Sequence, residues 1–256
     1  MDRVKKRSLR LPISAMTFAL LLFVGLIFRE PVFCYEENYP IDLWLRGEIA
    51  RDCGNIGMAN ATAVAEEKWD AQRKMDYEEL ATLLGKAEKQ LLEKTEMRWR
   101  SYYDGDALFF DVIPCYASNI WTVVFAGERL GIVRRRAIAM MEYLDFVKTF
   151  AKDGSAIAVI SGDWDVDNVN IEELERELEQ EVKQLSELLD RKSKKILRDA
   201  QKKWRAYYES ELAFMNAMHK KGVLSESNVE AGKWVFVQGR IMKISFYREI
   251  VSGERY

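Results

Sequence analysis

Between residues 58 and 110 apolar side chains recur in steps of three, four and seven: Leu80, Leu84, Ala87 and Leu91, then Leu92, Thr95, Trp99, Tyr102 and Phe109. That period predicts helix with one buried face. Gly85 and Gly105 are the breakers in the stretch, and glycine costs only ~1 kcal/mol inside a helix. One long rod and two helices joined near Gly85 both satisfy the pattern. Ile41 to Cys53 predicts a short amphipathic helix ahead of it, interrupted at Gly54 to Gly57. Asp111 to Asn119, with Pro114, reads as a turn, and Trp121 to Phe150 as a return helix with Ile138, Met141, Leu144 and Val147 on its apolar side.

The helical period stops over Lys152 to Asn170, which carries Gly154, Ser155 and Gly162. It resumes with Asn170 as N-cap and Glu173 in the capping-box position. A second long helix is expected to run to about His219 on Leu174, Leu178, Val182, Leu185, Leu189, Ile196, Trp204, Tyr208 and Met215. Lys220 to Ser227 turns the chain, Ser227 and Glu230 suggest another capping box, and the last helix ends near Val251.

The two helical stretches share a motif. LLEKTEMRWRSYYDGDALFF (91–110) and ILRDAQKKWRAYYESELAFM (196–215) align without a gap at an offset of 105. Trp99/Trp204, Arg100/Arg205, Tyr102/Tyr207, Tyr103/Tyr208 and Phe109/Phe214 are identical, and Asp106/Glu211 keeps its acid. Matching bulky aromatics in fixed register indicate an internal duplication. The return helices align on Trp121 and Trp234, which place Arg135 and Arg248 fourteen residues further on. The expected fold is all-α: two repeated long-helix/turn/return-helix units, 35–151 and 171–256, joined by a linker at 152–170 and forming antiparallel helical bundles.

Residues 1–34 change the compartment. Arg3, Lys5, Lys6, Arg7 and Arg10 precede an uncharged run from Leu11 to Phe28, the basic and apolar regions of a secretory signal. The run also reaches the lower limit of a membrane span, so an uncleaved N-terminal anchor fits as well. Either places the remainder in the periplasm or cell envelope, with the membrane met only through this segment. Of 39 basic and 41 acidic residues, 33 and 39 fall after residue 34, a net of −6. Such a surface is poorly matched to nucleic acid and suits a basic protein partner or none.

Candidate chemistry is sparse. His219 is the one histidine, which leaves a His-based metal site or a Ser-His-Asp triad without further members. Asp163, Asp165 and Asp167 begin like a calcium loop, but Asn168 stands at the glycine position and Leu174 at the final glutamate. No Gly-rich phosphate loop is present. The sequence therefore predicts a protein that is not an enzyme and has no cofactor. Cys53 and Cys115 are a disulfide candidate in an oxidising compartment, free thiols or intermolecular pairing being the alternatives. Trp99, Tyr102, Asp106 and Phe109 share one helical face, which favours packing over ligand binding. Arg100 and Arg205 are expected at the surface or paired with Asp104 and Glu209, four residues on.

Leu197-x-x-Ala200-Gln201-x-x-Trp204-x-x-Tyr207 resembles the signature of the LprI-like lysozyme inhibitor N-terminal domain family, and Cys53, Met58-Ala-Asn60, Trp69-Asp70 and Tyr77 add upstream features of it. Both halves carry the resemblance, so the chain looks like a tandem copy. Tyr103 and Tyr208 stand where the family has Arg, and Ala107 and Leu212 where it has Cys. The resemblance implies an all-helical envelope protein with lysozyme inhibition as its activity and a lysozyme as its partner. A helical scaffold or adaptor of the envelope is the alternative.

Overall fold

The computed structural model describes residues 39–113, 120–154 and 170–253. The expected signal or anchor at 1–34, the Asp163 to Asp167 run and Cys115 lie outside them. The described residues hold seven helices and no strand: α1 (Pro40–Arg51), α2 (Asn55–Leu83), α3 (Lys86–Phe110), α4 (Ile120–Asp153), α5 (Ile171–Leu188), α6 (Arg191–Lys220) and α7 (Glu226–Ser252). None of them is long and apolar enough to cross a membrane.

Both long helices break. The first stops at Leu84, whose extended backbone (φ −84°, ψ 150°) hands over to Gly85 as N-cap of α3. The second stops at the matching Leu189, and Asp190 caps α6 by accepting a hydrogen bond from the Ser193 amide at 2.8 Å. The unbroken run to His219 is thus two helices. Local chemistry explains the break: a side-chain carboxylate satisfies an orphan amide and so stabilises a new helix start. Asn170 caps α5 as expected, accepting from the Glu173 amide at 3.2 Å. The last helix is capped by Ser225, which accepts from Asn228 N at 3.1 Å, two residues before the expected Ser227. Gly253, at φ 77°, closes it.

The second half therefore supplies three helices, and the first supplies the corresponding three (α2, α3 and α4) after the short α1. In the first, α2 and α3 run antiparallel, with Tyr103 against Glu66 and Arg73 against Glu96. α4 lies parallel to α2, since Arg129 meets Glu66 and Lys148 meets Glu79. In the second, α7 packs on α5 through Arg248 and Glu181, 3.0 Å apart. The halves meet along α3 and α6. These helices pack antiparallel: the Thr95 hydroxyl donates to the Ser210 carbonyl at 3.1 Å near one end, and Gly105 lies over the Ala200 backbone near the other. One apolar core, including Leu80, Leu92, Met140, Val147, Phe214, Met218 and Leu224, draws on both halves. Its end is sealed by the turn after α6.

Candidate functional site

The aromatic motif lies at the centre of this α3/α6 seam. Tyr102 and Tyr207 stack with ring centroids 5.6 Å apart and planes 11° from parallel. Trp99 and Trp204 are buried beside them. These four side chains pack the seam, on the faces that their helical spacing gives them.

Two ionic clusters flank the stack, and each is built from a return helix reaching across to the other half. Arg136 of α4 is almost fully buried. Its Nε donates to Glu96 Oε1 at 2.6 Å, and its NH1 to Glu211 Oε2 at 2.7 Å and the Tyr207 hydroxyl at 3.3 Å. Tyr143 donates to the other Glu211 oxygen at 2.7 Å. Burial opposes the charge on Arg136, but Glu211 and its neighbours outweigh it and hold the guanidinium protonated. On the other side, Arg240 of α7 donates through Nε to Gln201 Oε1 and through NH1 to Asp106 Oδ2, both at 2.6 Å. Lys243 Nζ lies 3.6 Å from the same Asp106 oxygen and 3.3 Å from Glu128. Tyr247 donates to Glu128 at 3.4 Å.

The clusters correspond residue by residue. Gln201 matches Glu96, and Glu211 matches Asp106, at 105; Arg240 matches Arg136, and Tyr247 matches Tyr143, at 104. The alignment of return helices on Trp121 and Trp234 is accordingly nine residues out of register, and Arg135 and Arg248 are not equivalents. Each cluster also balances its own charge. The first gains Arg73, paired with Glu96, where the second half has Leu178 and Gln201. The second gains Lys243 and Glu128, where the first half has Ala139 and the other half Gly232. Buried charges that cannot reach water must be paired, and different residues meet that demand in the two halves. The sequence signal for these clusters was the acid retained at Asp106 and Glu211 on an otherwise apolar face; Arg136 sits within the basic run 134–136, and Arg240 stands alone between Gly239 and Ile241.

The outer arginines of the motif turn away from the seam. Arg205 pairs with Glu175 at 2.7 Å, and Arg100 approaches Asp70 at 3.9 Å. Glu175 and Asp70 are again 105 apart. The expected pairing with Asp104 and Glu209 is replaced by partners on the preceding helix, which the antiparallel hairpin brings closer. Tyr103 donates to Glu66 at 2.5 Å, and burial with that bond pushes its phenol well up. Tyr208 stacks on Trp204 and is pushed up to about 12 by burial. Asp70 is partly buried, which works against its charge, yet hydrogen bonds from Lys74 and Arg73 hold its carboxyl below the usual range. Cys53 is exposed and, among the described residues, free; its candidate partner Cys115 lies outside them. His219 is exposed, its Nδ1 2.9 Å from the Leu224 carbonyl. Among the described residues no group of three His, Cys, Asp or Glu is placed to hold a metal ion.

The profile of the family described as Lysozyme inhibitor LprI matches residues 168–247, the span of α5, α6 and most of α7. A crystal structure of an uncharacterized protein from Burkholderia thailandensis shares the fold, with a TM-score of 0.66 at 18% identity over 82% of this chain and 97% of that one. No curated protein sequence matches the chain.

Proposed function

From the match of residues 168–247 to the LprI lysozyme inhibitors, we propose that the chain is an exported, non-catalytic envelope protein that binds a lysozyme and blocks it. The match carries the reading. Two features support it. The duplicated motif makes the chain a tandem copy of the domain, spanning 35–151 and 171–256 about the linker at 152–170. The outward side of α5 exposes Glu172, Glu173, Glu177, Glu179 and Glu187 against Arg176 and Lys183, an acidic surface for a basic enzyme.

The test is a titration of the purified protein against a lysozyme clearing a cell-wall suspension, at several salt concentrations. Stoichiometric inhibition is expected, weakening as salt shortens the Debye length from ~10 Å at 0.1 M. Absence of both inhibition and low-salt binding would overturn the reading and leave an envelope scaffold, to be traced by crosslinking.

A further inference from the structure

Arg100 and Arg205 occupy the same motif position but are held differently. Arg205 is closed by Glu175 at 2.7 Å. Arg100 has Asp70 as its nearest carboxylate, at 3.9 Å, beyond hydrogen-bond reach. The oxygens of Asp70 are already taken, Oδ1 by Arg73 Nε at 2.9 Å and Oδ2 by Lys74 Nζ at 2.7 Å. Glu96 is shared between Arg73 and Arg136. Arg136 is neutralised by Glu211 as well, so Arg73, Lys74 and Arg100 are left facing Asp70 and Glu96. Positive charge is left over, and it emerges at Arg100, whose side chain is 50% exposed while that of Arg73 is 6% exposed.

The surroundings orient that charge. The Arg100 guanidinium lies 5.2 Å from the Trp99 ring centroid, with Arg73 at 4.5 Å from the same centroid. Stacking on an aromatic ring leaves the planar donor fork pre-organised. Arg73, Glu96, Met97, Trp99 and Arg100 line an open recess of about 390 Å³. Met97, 68% exposed, forms its apolar shoulder.

We propose that the Arg100 recess is the contact this protein makes with the carboxylates of a muramidase cleft. The proposal rests on the reading given under Proposed function and names the inhibitory surface. Glycoside hydrolysis is carried out by two carboxyl groups flanking the scissile bond, and the acid among them sits against apolar surface. An inhibitor that occupies such a cleft has to present a cation beside an apolar group. Arg100 with Met97 supplies that pair, and a guanidinium can take a carboxylate through two parallel hydrogen bonds. The acidic face of α5 attracts a basic enzyme over distance; the recess provides the opposite charge where the cleft needs it.

The experiment measures lysozyme binding and inhibition by the wild-type chain, Arg100→Glu, Arg100→Gln and Arg205→Gln, with thermal unfolding of each, and repeats wild-type binding with an N-acetylglucosamine oligosaccharide filling the cleft. Arg100→Glu should weaken binding by roughly tenfold or more, as expected for a desolvated charge pair. Arg205→Gln should stay within about twofold, and the oligosaccharide should compete. Should Arg100→Glu unfold, Arg100→Gln is read in its place. Inhibition that stays at the wild-type level in both Arg100 variants, or wild-type binding that the oligosaccharide does not compete away, overturns the assignment of Arg100 and leaves the inhibitor reading intact. A wild-type chain that does not bind overturns both.

Discussion

Tyr102 on α3 and Tyr207 on α6 are equivalent residues of the two copies of the motif, and they stack on each other at 5.6 Å. A contact between equivalent positions means that the antiparallel seam relates one half to the other by a local two-fold arrangement. Whatever crosses the seam on one side should then cross back on the other. The arginines do this: Arg136 lies over the Tyr207 ring and Arg240 over the Tyr102 ring, each at 5.6 Å. The halves are tied by reciprocal ionic contacts as well as by apolar packing.

Removing one side of such a pair should be costly. Arg136→Met leaves Glu211, 1% exposed, without its guanidinium. A loss of about 3–5 kcal/mol is expected in urea unfolding, because an unpaired buried charge remains. Adding Glu211→Leu should recover part of it, since an apolar pair of similar volume carries no desolvation penalty. A double mutant no more stable than Arg136→Met would show that the pair is not coupled.

The buried phenols predict sensitivity to alkali. Burial pushes Tyr143, Tyr207 and Tyr247 well above their ordinary value, with nearby carboxylates adding to it. Their folded pKa values are raised, so their contribution is intact below the unfolded value of ~10 and is lost as pH rises above it. Each tyrosine should then cost roughly 1.4 kcal/mol per pH unit above 10. Absorbance at 295 nm from these residues should appear together with loss of helical circular dichroism. Tyrosinate absorbance accounting for all tyrosines while the helices persist would contradict this.

Legibility in the sequence followed the strength of the local signal. The amphipathic periods placed the helices, and Asn170 with Glu173 marked the start of α5 to the residue. The break at Leu189 and Asp190 was missed because the apolar positions keep their helical phase across it; the capping carboxylate was the clue. The return helices were misaligned because Trp121 and Trp234 do different things. Trp121 is buried and stacks on Phe125 at 5.8 Å. Trp234 takes the place of Leu130 in the register that matches Arg136 with Arg240. Identity of a large side chain is a poor guide where its environment differs, and of the two arginines that set the register Arg136 was hidden beside Arg134 and Arg135, which left Arg240 without an evident counterpart. Cross-seam pairing is a tertiary property that no local pattern carries.

Gly105 is the close-approach point of the seam, and its substitution has a sign that can be stated. A Cβ there would lie 2.7 Å from Lys203 Cδ and 3.5 Å from the Ala200 Cα. The backbone contact is ordinary, and the lysine is a flexible chain that can swing into solvent. Gly105→Ala should therefore stabilise by up to ~1 kcal/mol through helix propensity. Gly105→Leu should destabilise by about 1–3 kcal/mol as it wedges α3 from α6. Equal destabilisation by both, measured by thermal unfolding, would mean that the lysine is fixed.

Glu88 and Lys221 tie the start of α3 to the end of α6, at 2.8 Å. The bond from Lys221 is the main reason that the Glu88 carboxyl is held below its ordinary value, with a backbone hydrogen bond helping and partial burial opposing. A lowered folded pKa means that the contribution is present above the unfolded glutamate value of ~4.3 and fades as pH falls through the folded one. Glu88→Gln should therefore melt below wild type at pH 7, by a few degrees at most for a pair with an exposed lysine. The gap should close as acid protonates Glu88 in the wild-type protein. Lys221→Met should reproduce the pattern, because it removes the same bond from the other side. A melting difference that persists unchanged into acid would mean that Glu88 acts by packing over Gly85, whose added Cβ would lie 2.6 Å from its carboxylate oxygen.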